Sequence, residues 1–320
     1  MSDKPIEQGG ANRRAINRGE MSKWQWTKRE MNAHKVGYLM IAPFFLIFII
    51  FTVLPVLLSL FFSFTSFNML QFPKFVFLDN YITLLLDDDI FLIAVKNTLI
   101  FALITGPIGY ILSFVMAWFI NELSPKIRAV VTVIFYAPAI SGQLYMIWQI
   151  IFSSDQYGYA NSLLLRFGFI QSPILWFQNA KYVMPLCIVV ALWLSLNYAF
   201  LSFIAGLQIV DRTYYEAGAV DGIKNRWQEL WYVTLPLMKS QLMFGAVMSI
   251  TGAFGFNDVV QNLAGFPTVD YAAHTIMAHL NDYGWTRFEM GYASAIATIL
   301  FLMMIGANLI VNRLLSKVGT

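Results

Sequence analysis

Three groups of residues in this chain have the means for chemistry, and each is suited to binding rather than to making or breaking bonds. The stretch "WLSLNY" places Ser195 and Asn197 between Trp193 and Tyr198, and "SITGAFGFND" places Ser249, Thr251, Asn257 and Asp258 around Phe254, Gly255 and Phe256. Both lie in otherwise apolar surroundings, where polar groups are costly and therefore face a bundle interior or a cavity. Hydroxyls and amides exchange hydrogen bonds and aromatic rings offer apolar faces, a mixture that suits a polar solute. The third group is "TYYEAGAVDGIKNRWQELWYVTLPLM", residues 213–238, which carries Glu216, Asp221, Lys224, Arg226 and Glu229 directly after the charge-free run 182–210.

Several other chemistries are excluded. Cys187 is the single cysteine, so no internal disulfide framework exists, and its apolar setting is that of a structural thiol. His34, His274 and His279 do not group with Cys or acids at metal-ligand spacing. No nucleophile–base pair lies within the apolar runs, and the chain has no Gly-x-x-x-x-Gly-Lys-Ser/Thr phosphate loop. The chain is read as a non-enzyme with no cofactor or metal of its own.

The elements that must position these groups are membrane spans. Of 320 residues 58% are hydrophobic and 12% charged, with mean hydropathy +0.62, against about 25% charged in soluble domains. Runs of about 20 apolar residues suffice to cross a bilayer. They predict an all-α fold with six spans at roughly 37–63, 94–120, 128–152, 181–207, 239–258 and 290–312. An N-terminal arm, 1–36, precedes them, polar and expected to be poorly ordered over its first ~33 residues; a tail, 314–320, follows the 37–313 span domain. Five prolines, Pro43, Pro55, Pro107, Pro138 and Pro185, fall inside spans and are read as kinks. Sixteen of the 21 Lys and Arg lie in the arm, the tail and the loops after spans two and four. The positive-inside rule therefore puts both termini and the 211–238 loop in the cytoplasm of a multi-pass protein.

Within that loop, Thr213 and Glu216 are spaced as a capping box. A short helix follows, ended by Gly222 in a left-handed conformation. "NRWQELWYV" reads as a second helix with Trp227, Leu230 and Trp231 on one face. Pro236 suits the first turn of the fifth span. The expected shape is a helix–turn–helix, where two to eight residues would suffice as a plain connector.

"EAGAVDG…VTLP" resembles the EAA loop of binding-protein-dependent ABC importer permeases. The likeness extends to "YAPAISGQLYMIWQIIFSSDQYGYANSLL", "NTLIF" and "FEMGYASAIATIL", covering about residues 37–313, and is closest in flavour to the maltose and glycerol-phosphate branch. It implies a type I ABC importer permease fold whose loop is a coupling helix for a cytoplasmic ATPase, through Glu216, Ala217, Gly218, Asp221, Gly222, Leu235 and Pro236. Gly218 departs from the pattern's second Ala, and the interval from Asp221-Gly222 to Leu235-Pro236 is one residue longer than usual. The substrate positions it implies are Leu194, Ser195 and Tyr198 on the fourth span and Thr251, Gly255 and Asp258 on the fifth, with Asn197 and Asn257 as neighbours.

The same resemblance implies the partners and the location. A second related permease, two cytoplasmic ATPase subunits that bind Mg-ATP, and an extracytoplasmic substrate-binding protein would surround this chain in the inner membrane of a bacterium. Membrane lipid is its solvent, and no nucleic acid is involved. Its function would be carbohydrate import, of an oligosaccharide in the first instance, by alternating access. The alternative, an ion-coupled secondary transporter, requires ionisable groups at mid-membrane, and the six runs carry charge only at their edges. Asp87, Asp88 and Asp89 read as a solvated acidic turn on the external side.

Overall fold

A computed structural model describes Trp24, Thr27, Met31, residues 34–141 and residues 144–315. Most of the N-terminal arm and the end of the tail therefore lie outside the described residues. The chain divides into two units, Met1–Leu58 and Ser59–Thr320. Among the described residues, five helices are long and apolar enough to cross a membrane, and a sixth span results if one pair bent by 85° is counted together.

The first of these, α1, runs Lys35–Phe62 with none of its hydrophobic window buried. A π turn, Ile49–Val53, interrupts it just before Pro55. Proline has no N–H and its ring crowds the carbonyl four residues back; the π turn shifts that register, with the Leu54 amide donating to Ile49 O.

The second unit is organised around α2, Asp89–Asn121. A two-stranded antiparallel hairpin, β1 Thr65–Ser66 with β2 Lys74–Phe75, precedes it. Then come α3 Pro125–Ile140, α4 Tyr145–Ile151, α5 Tyr159–Arg166, α6 Ala180–Trp193 and α7 Tyr198–Ile209. The loop holds α8 Arg212–Val220 and α9, residues 226–237; α10 Lys239–Phe254, α11 Asn257–Ala264, α12 Ile276–Asn281 and α13 Met290–Leu315 complete the chain. Helix α2 packs against α6, α7 and α10, and α10 packs against α13.

Small residues allow this close approach, as expected where lipid removes the water-driven force. Gly106 and Gly109 of α2 face Ala253 and Ser195, and a methyl at Gly109 would stand 2.9 Å from Ser195 Cβ. Gly245 of α10 lies directly under the buried ring of Phe203. Phe203 in turn meets Tyr110 and Phe114 edge-on, with centroids 5.3 and 5.5 Å away.

Three of the expected spans are not single rods. The third is the bent pair α3 and α4, the first ending at Ile140, beyond Pro138, and the second beginning at Tyr145. The fourth breaks at residues 194–197 and the fifth at Gly255 and Phe256.

Candidate functional site

Both breaks coincide with the polar groups singled out in the sequence. At the first, Leu194 closes α6 and Asn197 opens α7, its side chain accepting the Ala199 amide at 3.2 Å. The Ser195 carbonyl accepts the Asn197 N–H at 2.8 Å and the hydroxyl of buried Ser113, from α2, at 3.1 Å. At the second, Asn257 N–H returns to Gly255 O at 2.8 Å across Phe256, whose φ −73° and ψ 46° approach an inverse γ-turn. Ser195 and Ala253, one at each break, meet Gly109 and Gly106, three residues apart on α2. The structure thus brings both groups against one turn of the central helix. Non-helical backbone inside a membrane protein is stable only where protein or a water-filled cavity supplies its partners, and discontinuous helices of this kind frame solute sites in transporters.

The individual side chains differ in what they leave available. Tyr198 is 67% exposed, and Thr251, Gly255 and Asp258 are exposed as well. Leu194, Ser195 and Asn197 are half-buried. The hydroxyls of Ser195 and Thr251 donate to their own helices, at Leu192 O (2.6 Å) and Val247 O (2.9 Å). Asn257 is buried; its amide nitrogen donates to Gln261 Oε1 at 3.1 Å and its Oδ1 has no partner among the described residues.

The 211–238 loop does fold as helix–turn–helix, but its caps are not where the spacing put them. Asp211, not Thr213, caps α8, accepting the Thr213 amide at 3.0 Å. An Asx cap two residues earlier lets the helix begin at Arg212, which places Thr213 and Glu216 inside it. The reciprocal arrangement belongs instead to α9: Asn225 accepts the Gln228 amide at 2.9 Å, and Gln228 Oε1 accepts the Lys224 amide at 2.8 Å. Gly222 has φ +96°, and the bonds Gly222 N–H to Ala219 O and Ile223 N–H to Gly218 O form a Schellman motif.

That motif accounts for the departure at Gly218. The Ile223 side chain folds back so that a methyl on Gly218 would lie 2.9 Å from Ile223 Cδ1, and Val233 closes the other flank at 3.4 Å. Gly218 is the one buried residue of α8; Glu216, Ala217 and Asp221 are exposed, and Val220 at the tip is 89% exposed. Helix α9 continues through a π turn, Leu230–Thr234, that ends one residue before Leu235-Pro236, repeating the solution seen before Pro55. Leu235 and Pro236 are half-buried, and Pro236 falls in the last turn of α9 before α10 rather than in the first turn of the fifth span. Trp227, Leu230 and Trp231 do not share an environment. Leu230 is buried, whereas Trp227 and Trp231 are 70% and 65% exposed. Arg226 ties the loop to the end of α2, bridging Glu229 at 2.8 Å and Glu122 at 2.7 Å.

At the opposite ends of the spans the structure adds a cluster that sequence spacing did not reveal. Asp88 is not part of a solvated turn. Its carboxylate accepts the Phe91 amide (2.9 Å), Tyr292 OH (2.8 Å) and His279 Nε2 (3.0 Å), and His279 Nδ1 meets His274 Nε2 at 3.1 Å. Asn97 of α2 donates to Tyr271 O and His274 O, both at 3.0 Å. Burial alone would raise the Asp88 pKa, but its amide, hydroxyl and imidazole partners outweigh that and hold it below the usual carboxylate value. Burial, then repulsion from His279, presses the His274 imidazole down to about 4.

A histidine depressed in this way stabilises the fold fully above its unfolded pKa of about 6.5, and that stability is lost as pH falls through about 4. Acidification from pH 7 to 4 is therefore expected to lower the thermal stability of the detergent-solubilised chain, by about 3 kcal/mol at most from this group. A His274→Gln variant should show a flatter profile by differential scanning fluorimetry. An equally steep profile would place the sensitivity elsewhere.

A membrane-spanning bundle with two interrupted spans around one central helix, and one exposed helical hairpin at the end opposite the buried histidines, defines a polytopic α-helical permease. The chain belongs to the family described as binding-protein-dependent transport system inner membrane component, matching it over residues 105–319. It is 32% identical to the probable ABC transporter permease protein YesP of Bacillus subtilis, over 84% of this chain and 86% of that one. It is 30% identical to the arabinooligosaccharides transport system permease protein AraP of the same organism, over 75% and 76%. A solved bacterial ABC transporter involved in the import of the acidic polysaccharide alginate shares the fold, with TM-score 0.70 over 91% of this chain and 99% of that one at 22% identity.

Proposed function

We propose that this chain is one of two permease subunits of an ATP-driven carbohydrate importer, with oligosaccharide as its cargo. The observation that carries the reading is the free-standing α8. A capped nine-residue helix that exposes every residue but Gly218 and Tyr215, and ends on Val220 at 89% exposure, is built to be received by another protein. The receiver is a cytoplasmic ATPase that binds Mg-ATP, docked through Glu216, Ala217, Asp221 and the turn at Gly222, with Leu235 and Pro236 fixing the return of the chain. Both termini lie in the cytoplasm, in keeping with the Lys and Arg distribution, and the 258–289 loop faces an extracytoplasmic binding protein.

ATPase closure drawing on α8 is transmitted through α9 and the Arg226–Glu122 bridge to α2, against which both span breaks are seated. The substrate passes between these breaks, meeting Tyr198, Thr251 and Asp258. Support for sugar as cargo comes from the relatives' stated substrates and from the hydroxyl, amide and aromatic character of the breaks. Gentle purification from native membranes with mass spectrometry of the co-purifying proteins tests the assembly; a second permease and an ATPase are expected. A chain isolated alone, with solute uptake driven by a proton or sodium gradient, would refute it.

A further inference from the structure

A cleft lies on the side opposite α8, between residues 149–155, Phe177–Gln178 and α11, with a volume of about 590 Å³. That is within the roughly 300–1,000 Å³ of small-molecule sites. Its wall carries four side-chain amides, Gln149, Gln178, Gln261 and Asn262, and two aromatic rings, Phe152 and Phe177. Gln178 makes no side-chain hydrogen bond among the described residues, and neither does the Gln261 amide nitrogen.

An aromatic row runs from this cleft toward the break in the fourth span. Trp176 meets Phe152 edge-on at 5.3 Å, Phe152 stacks on Trp148 at 5.8 Å and 7°, and Trp148 meets Trp193 at 5.4 Å. Trp193 is the last residue before the break. All four are half-buried, so the row is a wall and not a sealed core. Two of its members, Trp148 and Trp176, hold an indole N–H that is buried without an acceptor.

The cleft is also rigid and selective in charge. Asn161, fully buried, reaches Ser153 O, Asp155 O and Ile174 O at 3.1 Å and accepts the Ile174 amide, pinning the loop that forms one wall. Asp155 accepts Ser153 Oγ and the amides of Tyr157 and Gly158. Those bonds hold its carboxyl below the ordinary value, so it is an anion at neutral pH. No Lys or Arg lines the cleft. Amides bond hydroxyls, ring faces stack on the apolar side of sugar rings, and the fixed carboxylate repels uronates.

We propose that this cleft is an outer binding site for a neutral oligosaccharide, which the aromatic row connects to the break at 194–197. The proposal rests on the carbohydrate-import reading and adds a location and a charge preference to it. The test is saturation-transfer NMR on the full chain with its co-purifying partners in lipid nanodiscs. The probes are maltotriose and α-1,5-arabinotriose as neutral trisaccharides and a mannuronate trimer of equal length.

Both neutral probes are expected to bind, and the uronate several-fold more weakly. Gln178→Ala and Phe177→Leu, the latter removing a ring from the wall of the cleft, should each weaken neutral binding several-fold. No neutral binding, equal or tighter uronate binding, or indifference to both cleft variants would overturn the proposal. ATP-dependent sugar uptake by the wild type distinguishes the two failures: if uptake persists while the cleft variants change nothing, the cleft alone falls; if uptake is absent, the import reading falls first.

Discussion

Gly222→Pro is expected to reduce ATP-driven uptake at least tenfold while leaving the amount of chain in the membrane unchanged. Two independent conflicts produce this. Proline fixes φ near −65°, whereas Gly222 stands at +96°; and it deletes the N–H that bonds Ala219 O at the end of α8. Ile223 would then leave its place over Gly218, and the exposed face of α8 would turn relative to α9. Gly222→Ala keeps the N–H and bears only the left-handed penalty of about 1–2 kcal/mol, so it should lose uptake partially. Vesicle uptake assays with immunoblotting for the chain and its ATPase separate the outcomes. If the proline variant transports normally with its ATPase retained, the geometry of this turn is irrelevant to coupling.

Asp88→Ala is expected to be the most destabilising single substitution outside the span interfaces, by about 3 kcal/mol or more, because each buried donor left without its acceptor costs about 1–3 kcal/mol. The carboxylate serves three donors from three places in the chain: Phe91 N–H at the start of α2, Tyr292 of α13, and His279 of α12. Removing it strands all three in a site where Asp88 is 10% exposed and His279 3%. Asp88→Asn keeps one acceptor for the Phe91 amide and should cost less. Thermal unfolding in detergent orders the variants; an alanine variant as stable as the wild type would show that the cluster fills space without holding the helices together.

The contrast between these two sites shows what the sequence could and could not reveal. Gly222 was legible because its turn is local: the residues that cap, turn and return lie within a few positions. Even there the helix start was misplaced by two residues, since Asp211 and Thr213 are both good caps and spacing alone does not rank them. The substrate groups were legible as polar residues in apolar runs, but not as breaks. Nothing in "LSLN" or "GFN" marks a helix interruption as a proline would. The interruption depends on Ser113 of α2 accepting the duty of a partner for Ser195 O.

The Asp88 cluster was invisible for a different reason. His279 and Asp88 are 191 positions apart, and three consecutive aspartates look like a surface turn. The aromatic row was hidden likewise, because a chain with 28 Phe and nine Trp makes any one ring unremarkable.

The central position of α2 has a consequence for how the molecule is made. Three of its buried polar groups find partners only in segments synthesised much later. Ser113 waits 82 residues for Ser195, Asn97 waits 174 for Tyr271, and Thr98 waits 178 for the amide of Ile276. During translation α2 therefore enters the bilayer with these groups unsatisfied and its glycine face uncovered. A ribosome stalled after the fourth span would leave two of the three, Asn97 and Thr98, in that state, a natural substrate for membrane quality control. Maturation of the chain is complete only when α12 and α13 arrive to close the outer end.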